Sequence, residues 1–190
     1  MAMFRVAPTA WRQGGWRARI QELDDVVDRV VDRIRRPALD PVFYGLSSAA
    51  DHGLLWMAIG SVGSAVTGDP RSALRLIAVL GAESALTNGP VKACFRRVRP
   101  PHEHPDTGPL PYGMHRPLSS SFPSGHAASA FTAAVVLAGT RADPALFALA
   151  AAVAASRVYV RMHHASDVVA GAALGLVFGG IARAILGGRP

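Results

Sequence analysis

"DVVAGAALGLVFGGIARAILG", residues 167–187, is an apolar stretch whose only charges are its opening aspartate and Arg183. A membrane-spanning helix needs about 20 predominantly apolar residues, with about 17 tolerated. This stretch is long enough to cross a bilayer as one helix. Its glycines and alanines form a small face, which lets membrane helices approach closely. Four further apolar runs precede it, near 42–66, 72–91, 125–140 and 144–160. The first two are also long enough. The runs 125–140 and 144–160 are shorter and rich in alanine, and "GTRAD" with Pro144 separates them, so they read as a helical hairpin inside a bundle. No alternating pattern argues for a β-barrel. The expected fold is all-α, a polytopic membrane bundle of about five spans.

Composition agrees. The chain has 190 residues, of which 50% are hydrophobic and 17% charged. Its net charge of +7 comes almost wholly from arginine, since Lys92 is the only lysine. Such a balance fits nucleic acid or an anionic membrane surface. The apolar runs decide for the lipid bilayer, and no nucleic-acid partner is expected. One cysteine, Cys94, excludes an internal disulfide and reads as an inert thiol. The opening residues 1–19 lack the apolar core of a cleavable signal peptide.

Residues 17–36 have a helical period, with Ile20, Leu23, Val27, Val30 and Ile34 at steps of three and four. Asp25 with Arg29 and Asp32 with Arg36 add i,i+4 pairs, and Pro37 ends the segment. It is too polar to span. An amphipathic helix lying on the membrane is expected, with Trp11 and Trp16 as interfacial anchors; packing of the same stripe against another subunit is the alternative. This divides the chain into a tail, residues 1–40, and a transmembrane core, residues 41–190.

Residues 92–122 form one long, proline-dense polar loop. Three clusters of ionisable groups stand out along the chain: "KACFRRVRP" at 92–100, "PSGH" at 123–126 and "SRVYVRMHHASD" at 156–167. Each lies at the end of an apolar run, and counting spans puts all three on one face of the membrane. Lys92, Arg99 and Arg157 suit a phosphate, because arginine matches it bidentately and lysine supplies a point charge. Ser124, Gly125 and His126 open a helix whose backbone N–H groups favour anions. A histidine there serves as a proton donor, and a second histidine, its tautomer fixed by Asp167, attacks phosphorus. Both His163 and His164 lie within helical reach of Asp167, so spacing does not choose between them. A buried ion-pair network is the bland alternative.

These three clusters resemble the type 2 phosphatidic acid phosphatase family, membrane lipid phosphatases related to vanadium haloperoxidases. The family pattern is a lysine, six residues, Arg-Pro; then Pro-Ser-Gly-His; then Ser-Arg, five residues, His, three residues, Asp. Here it is met by Lys92 with Arg99-Pro100, by Pro123–His126, and by Ser156-Arg157 with His163 and Asp167. The resemblance implies His163 as nucleophile, His126 as general acid and Asp167 as the partner of His163. It implies Lys92, Arg99, Ser124, Gly125 and Arg157 as phosphate ligands, with His164 a neighbour that contacts substrate or faces water. No metal or other cofactor is expected, since no carboxylate cluster stands ready to hold one. The implied activity is hydrolysis of a lipid phosphomonoester through a phosphohistidine. The substrate expected is a prenyl-phosphoryl sugar phosphate such as decaprenylphosphoryl phosphoribose. Phosphatidic acid, phosphatidylglycerol phosphate and prenyl diphosphates are alternatives, and a non-catalytic lipid-binding or transport protein is the rival class.

Five spans put the N-terminus and the three clusters on one side, together with most arginines. The other side holds Arg71, Arg75, Arg141, Arg183 and Arg189. The positive-inside rule then places the site in the cytoplasm. Arg96 and Arg97 are expected to meet lipid head groups. Asp51, His52 and Glu83 fall within spans; a polar link between helices, with Arg75 as partner, is preferred over a contact near the substrate. His102, His104 and His115 read as solvated loop residues. Small-residue faces permit an oligomer.

Overall fold

The computed structural model describes residues 15–101, 117, 119–138 and 143–186, and all regular structure among them is helical. Trp11, Arg141, Arg189 and the loop histidines His102, His104 and His115 lie outside the described residues. Seven α-helices follow in order: α1 (Gly15–Ile34), α2 (Asp40–Ala49), α3 (Leu54–Thr67), α4 (Pro70–Leu86), α5 (Gly125–Leu137), α6 (Pro144–Tyr159) and α7 (Ala165–Ile185). Three of them start where the sequence supplies a cap. Asp69 accepts from the Arg71 N–H at 3.0 Å and Asp143 from Ala145 at 2.9 Å, each followed by proline at the first helical position. Ser124 accepts from Ala127 at 3.4 Å and opens α5.

The run 42–66 is not one helix, contrary to expectation. It breaks into α2 and α3 across a 3₁₀ turn, Asp51–Gly53, in which His52 (φ 54°) and Gly53 (φ 75°) are left-handed. Asp51 and His52 are ionisable groups in an apolar run, and the carboxylate has a partner off the helix axis, His126. Glycine takes the left-handed conformation without a Cβ penalty. The run 72–91 also ends early: α4 stops at Leu86, and Thr87–Val91 forms a π-type turn around Gly89 and Pro90.

Helices α3 to α7 are the legs of the bundle. At the centre α5 packs on α7 through small residues. Ala127, Ala128, Ala130, Ala133 and Ala134 are fully buried. A side chain at Gly171 or Gly175 would strike the carbonyls of Ser124 and Ala128, and one at Gly179 would stand 2.8 Å from Val135 Cβ. The backbones therefore touch, as the glycine face foretold. Large apolar side chains are instead turned outward, among them Val62, Val66, Leu74, Val169, Val177, Ile181 and Ile185. A core of alanine beneath a surface of valine and isoleucine suits apolar surroundings. Ala165–Ile185 is the one described helix long and apolar enough to cross a membrane, with a mean hydropathy of 1.9; α5 and α6 are apolar but shorter.

Helix α1 packs on α6 and α7, with its polar side inward. Asp24 is buried, and Asp28 and Asp32 pair with Arg161 at the end of α6. Trp16, Leu23, Val26, Val30 and Ile34 are exposed along the opposite side. The apolar stripe read from the sequence is thus mostly the outer face, while the acidic residues dock the helix.

Candidate active site

The ends of α4, α5 and α6 and the start of α7 meet at one cavity of about 840 Å³. Lys92, Arg99, Gly125, His126, Arg157 and His163 line it, joined by Asp51, Ser84, Asn88 and Ser129. Six of the eight residues expected from sequence thus surround one hollow, though they come from chain segments as far apart as 92 and 163. Ser124 and Asp167 stand behind it. The Ser124 hydroxyl caps α5, and its N–H donates to the Asp167 carbonyl at 2.9 Å, which ties α5 to α7 at the site.

His163 and His164 are distinguished by where they face. His164 is buried against α1, its Nδ1 3.5 Å from Asp28 Oδ2, and meets neither solvent nor the cavity. His163 reaches the cavity because Arg161 takes a left-handed φ of 58° and turns the chain after α6. Its Nδ1 lies 2.7 Å from the Ser121 carbonyl, which accepts only, so Nδ1 carries the proton. Nε2 faces the Arg99 guanidinium at 3.3 Å, so its lone pair points to the cation that borders the hollow. Burial, with the charges of Arg157 and Arg99, pushes the ring down to about 3, against the pull of Asp167. A neutral imidazole with an unprotonated Nε2 is the form that attacks phosphorus.

Asp167 is not the direct hydrogen-bond partner of His163. Its Oδ2 stands 3.7 Å from Nδ1, close enough to act through charge, and accepts from the His164 N–H at 2.9 Å. Its Oδ1 accepts from Arg97 at 2.5 Å. Arg97 also holds Asp24 of α1 at 2.5 Å, and all three side chains are buried. The expectation that Arg97 meets lipid head groups is therefore corrected: two buried carboxylates compete for it more strongly than a solvated surface does.

Arg99 is clamped by main-chain carbonyls, donating to Met162 at 2.6 Å and Pro117 at 3.2 Å. Arg157 donates to Ser47 of α2, and its buried Nε has no hydrogen-bond partner among the described residues. Burial lowers Lys92 to about 8, with Arg99 and Arg157 adding to the effect. Arg157, Arg99 and Lys92 thus bring three cations to one hollow, a charge environment that suits an anion. Gly125 borders Asn88, whose Oδ1 would lie 3.0 Å from an added Cβ.

Sequence reasoning left several contacts unseen. Asp51 Oδ1 lies 2.7 Å from His126 Nε2, a link that sequence did not suggest. Glu83 does link two helices, but through the Ser129 and Thr87 hydroxyls, at 2.6 Å each. The Ser121 carbonyl is a backbone group that no motif reports.

The PAP2 superfamily model matches residues 72–189. The chain is 32% identical over 156 residues to the decaprenylphosphoryl-5-phosphoribose phosphatase of Mycobacterium tuberculosis, covering 82% of this chain and 85% of that relative. It is 34% identical over 139 residues to the protein of the same name from Mycolicibacterium smegmatis, covering 72% and 73%. Among solved structures it is similar to the transmembrane PAP2-type phosphatidylglycerolphosphate phosphatase of Bacillus subtilis, with a TM-score of 0.69 and 26% identity over 88% of this chain and 86% of that one. LpxE of Aquifex aeolicus gives a TM-score of 0.65 and 25% identity over 84% and 94%.

Proposed function

The chain belongs to the PAP2 superfamily of phosphatases, and from that premise we propose that it is a multi-pass membrane enzyme that hydrolyses a lipid phosphomonoester through a phosphohistidine. His163 Nε2 attacks phosphorus, and Lys92, Arg99, Arg157 and the opening N–H groups of α5 take up charge on the phosphoryl oxygens. His126 gives a proton to the leaving oxygen and later takes one from the water that cleaves the N–P bond. Asp167 acts on His163 through charge, and the Ser121 carbonyl holds the tautomer. The protein's own cations thus supply the electrostatic stabilisation. The observation that carries this reading is the His163 ring itself: Nδ1 bound to a carbonyl, and Nε2 turned to Arg99 at the border of a cationic hollow.

The substrate we favour is a prenyl-phosphoryl sugar phosphate such as decaprenylphosphoryl phosphoribose, on the strength of the mycobacterial relatives' names. The Bacillus structure's name favours phosphatidylglycerol phosphate as the second reading. Helices α3 to α7 are proposed as the five spans, residues 1–40 as a surface segment, and the cytoplasm as the side of the site.

The test is phosphate release by detergent-purified enzyme from a panel of both lipids, phosphatidic acid and a prenyl diphosphate. His163→Ala should lower turnover at least 10³-fold while the protein stays monodisperse. His126→Ala given p-nitrophenyl phosphate, whose leaving group needs no proton, and quenched in alkali during turnover should accumulate phosphate on His163. Substantial activity in His163→Ala would refute the nucleophile, and a wild type inert on every lipid would favour a binding protein.

A further inference from the structure

Asp51 is a cavity-lining carboxylate that the mechanism above does not use. It stands on the turn between α2 and α3, where left-handed His52 and Gly53 break the helix. That break carries the carboxylate across to the first turn of α5, where Oδ1 meets His126 Nε2 at 2.7 Å. The surroundings of His126 make this contact consequential. Lys92, Arg99 and Arg157 border the same hollow, with His163 among them and His52 beside Asp51. The cations that draw in a phosphate also oppose a proton on His126. The other carboxylates nearby are committed elsewhere. Glu83 accepts from Thr87 and Ser129, and Asp167 from Arg97 and the His164 N–H.

We propose that Asp51 is the positioning residue of the acid–base histidine. Its carboxylate accepts from one nitrogen of the His126 ring, fixes the ring's tautomer and orientation, and balances the positive charge whenever the ring is protonated. In the first half-reaction the N–P bond to His163 forms as the P–O bond to the lipid breaks. The His126 imidazolium gives its proton to the departing oxygen and becomes neutral. In the second, His126 takes a proton from water as the new O–P bond forms and the N–P bond breaks, which restores the imidazolium. Asp51 stays ionised throughout. The site thus holds two histidine–carboxylate pairs, Asp167 with the nucleophile and Asp51 with the acid.

This inference rests on the proposed role of His126, and the test separates the two. Purified wild type, Asp51→Asn, Asp51→Glu and His126→Ala are assayed on a lipid alkyl phosphate and on p-nitrophenyl phosphate, whose leaving group departs without a proton. General acid catalysis contributes about 10²–10⁴-fold. In kcat/KM, which reports only the steps up to departure of the leaving group, Asp51→Asn should therefore lose roughly 10²-fold or more on the alkyl ester and under tenfold on the aryl ester, as should His126→Ala. Asp51→Glu should recover part of the alkyl activity. Adding Asp51→Asn to His126→Ala should cost little more. Equal losses on both esters, no loss, or a further large loss in the double variant would each overturn the proposal. Should Asp51→Asn fail to give monodisperse protein, Asp51→Ser, which also removes the carboxylate, is read by the same ratio, and a ratio equal to wild type overturns it. An active His126→Ala on the alkyl ester would instead sink the acid assignment itself.

Discussion

At the scale of single residues, Lys92 illustrates how the site's chemistry follows from crowding like charges. Its ammonium, normally near 10.5, titrates at about 8 because it is partly buried and faces Arg99 and Arg157. The sign follows directly. Below about pH 8 the charge is present and phosphate binding gains from it; as pH rises through that value the charge is lost. The alkaline limb of kcat/KM, which reports the free enzyme, is expected near pH 8. Arginine keeps its charge at any working pH. Lys92→Arg should therefore lower the plateau yet carry the alkaline limb up by more than one pH unit, measured between pH 6 and 10. His163 behaves in the opposite sense: its lowered value leaves the ring neutral until pH falls toward about 3. It therefore sets neither limb near neutrality.

Much of this site was legible residue by residue, and the rest was not for definite reasons. Lys92, Arg99, His126, Arg157 and His163 are recognisable because short segments fix their spacing. Asp51 has no spacing to His126, 75 residues away; its only signal was an ionisable group within an apolar run, which by itself marks a functional candidate. Arg97 differs in no visible way from Arg96 until α1 brings Asp24 to it. Ser121 acts through a carbonyl, which every residue possesses.

Among the elements, α5, α7 and α1 each make a prediction. Alanine is preferred to glycine within a helix by about 1 kcal/mol, so an open glycine should tolerate the change. Gly180 has nothing within 4 Å of an added Cβ, and Gly180→Ala should be neutral or mildly stabilising. At Gly175 the same Cβ meets the Ala128 backbone, which cannot move without shifting α5. Overpacking of this kind costs about 1–3 kcal/mol, so Gly175→Ala should lower Tm and activity together. Thermal unfolding of both variants in detergent is the comparison; equal Tm values would show that α5 and α7 do not pack backbone to backbone. Helix α1 docks through ions as well as through the apolar contact of Val27 and Val31. Asp24→Ala removes one of the two carboxylates on buried Arg97 and leaves it with Asp167, Ser166 and Gln21. Breaking a buried pair costs about 3–5 kcal/mol, and the remaining carboxylate holds the loss to about 3. Reduced kcat should accompany the lower Tm, since more of the Arg97 charge then falls on Asp167; an unaltered Tm would mean that α1 is detachable. The helical period of α1 was readable from sequence, but periodicity does not say which face turns inward. The acidic face won because its partners, Arg97 and Arg161, are cations needing compensation.

For the whole molecule, the decisive quantity is length. Helices α3 to α6 have 13 to 17 residues, about 20 to 26 Å at 1.5 Å per residue, against a hydrocarbon core of about 30 Å. Helix α7, with 21 residues, alone matches that thickness. If α3 to α7 are the spans, as proposed above, the shorter legs end at the cavity and the proposed phosphate site lies at head-group level, with the exposed stripe of α1 beside it. Short legs of this kind thin the bilayer locally or draw flanking arginines toward the interface. The same geometry ties sidedness to one reporter. Cys94 is exposed and lies between Lys92 and Arg99, at the cavity end of the bundle. It is the only cysteine in the chain. On the reading proposed above, the arginines gathered at this end put it in the cytoplasm by the positive-inside rule. A membrane-impermeant maleimide applied to intact cells should therefore leave Cys94 unmodified, and permeabilised cells should label it. Labelling of intact cells, absent in a Cys94→Ser control, would put the site on the outer face. It would also mean that the arginine count around the cavity reflects phosphate binding rather than orientation.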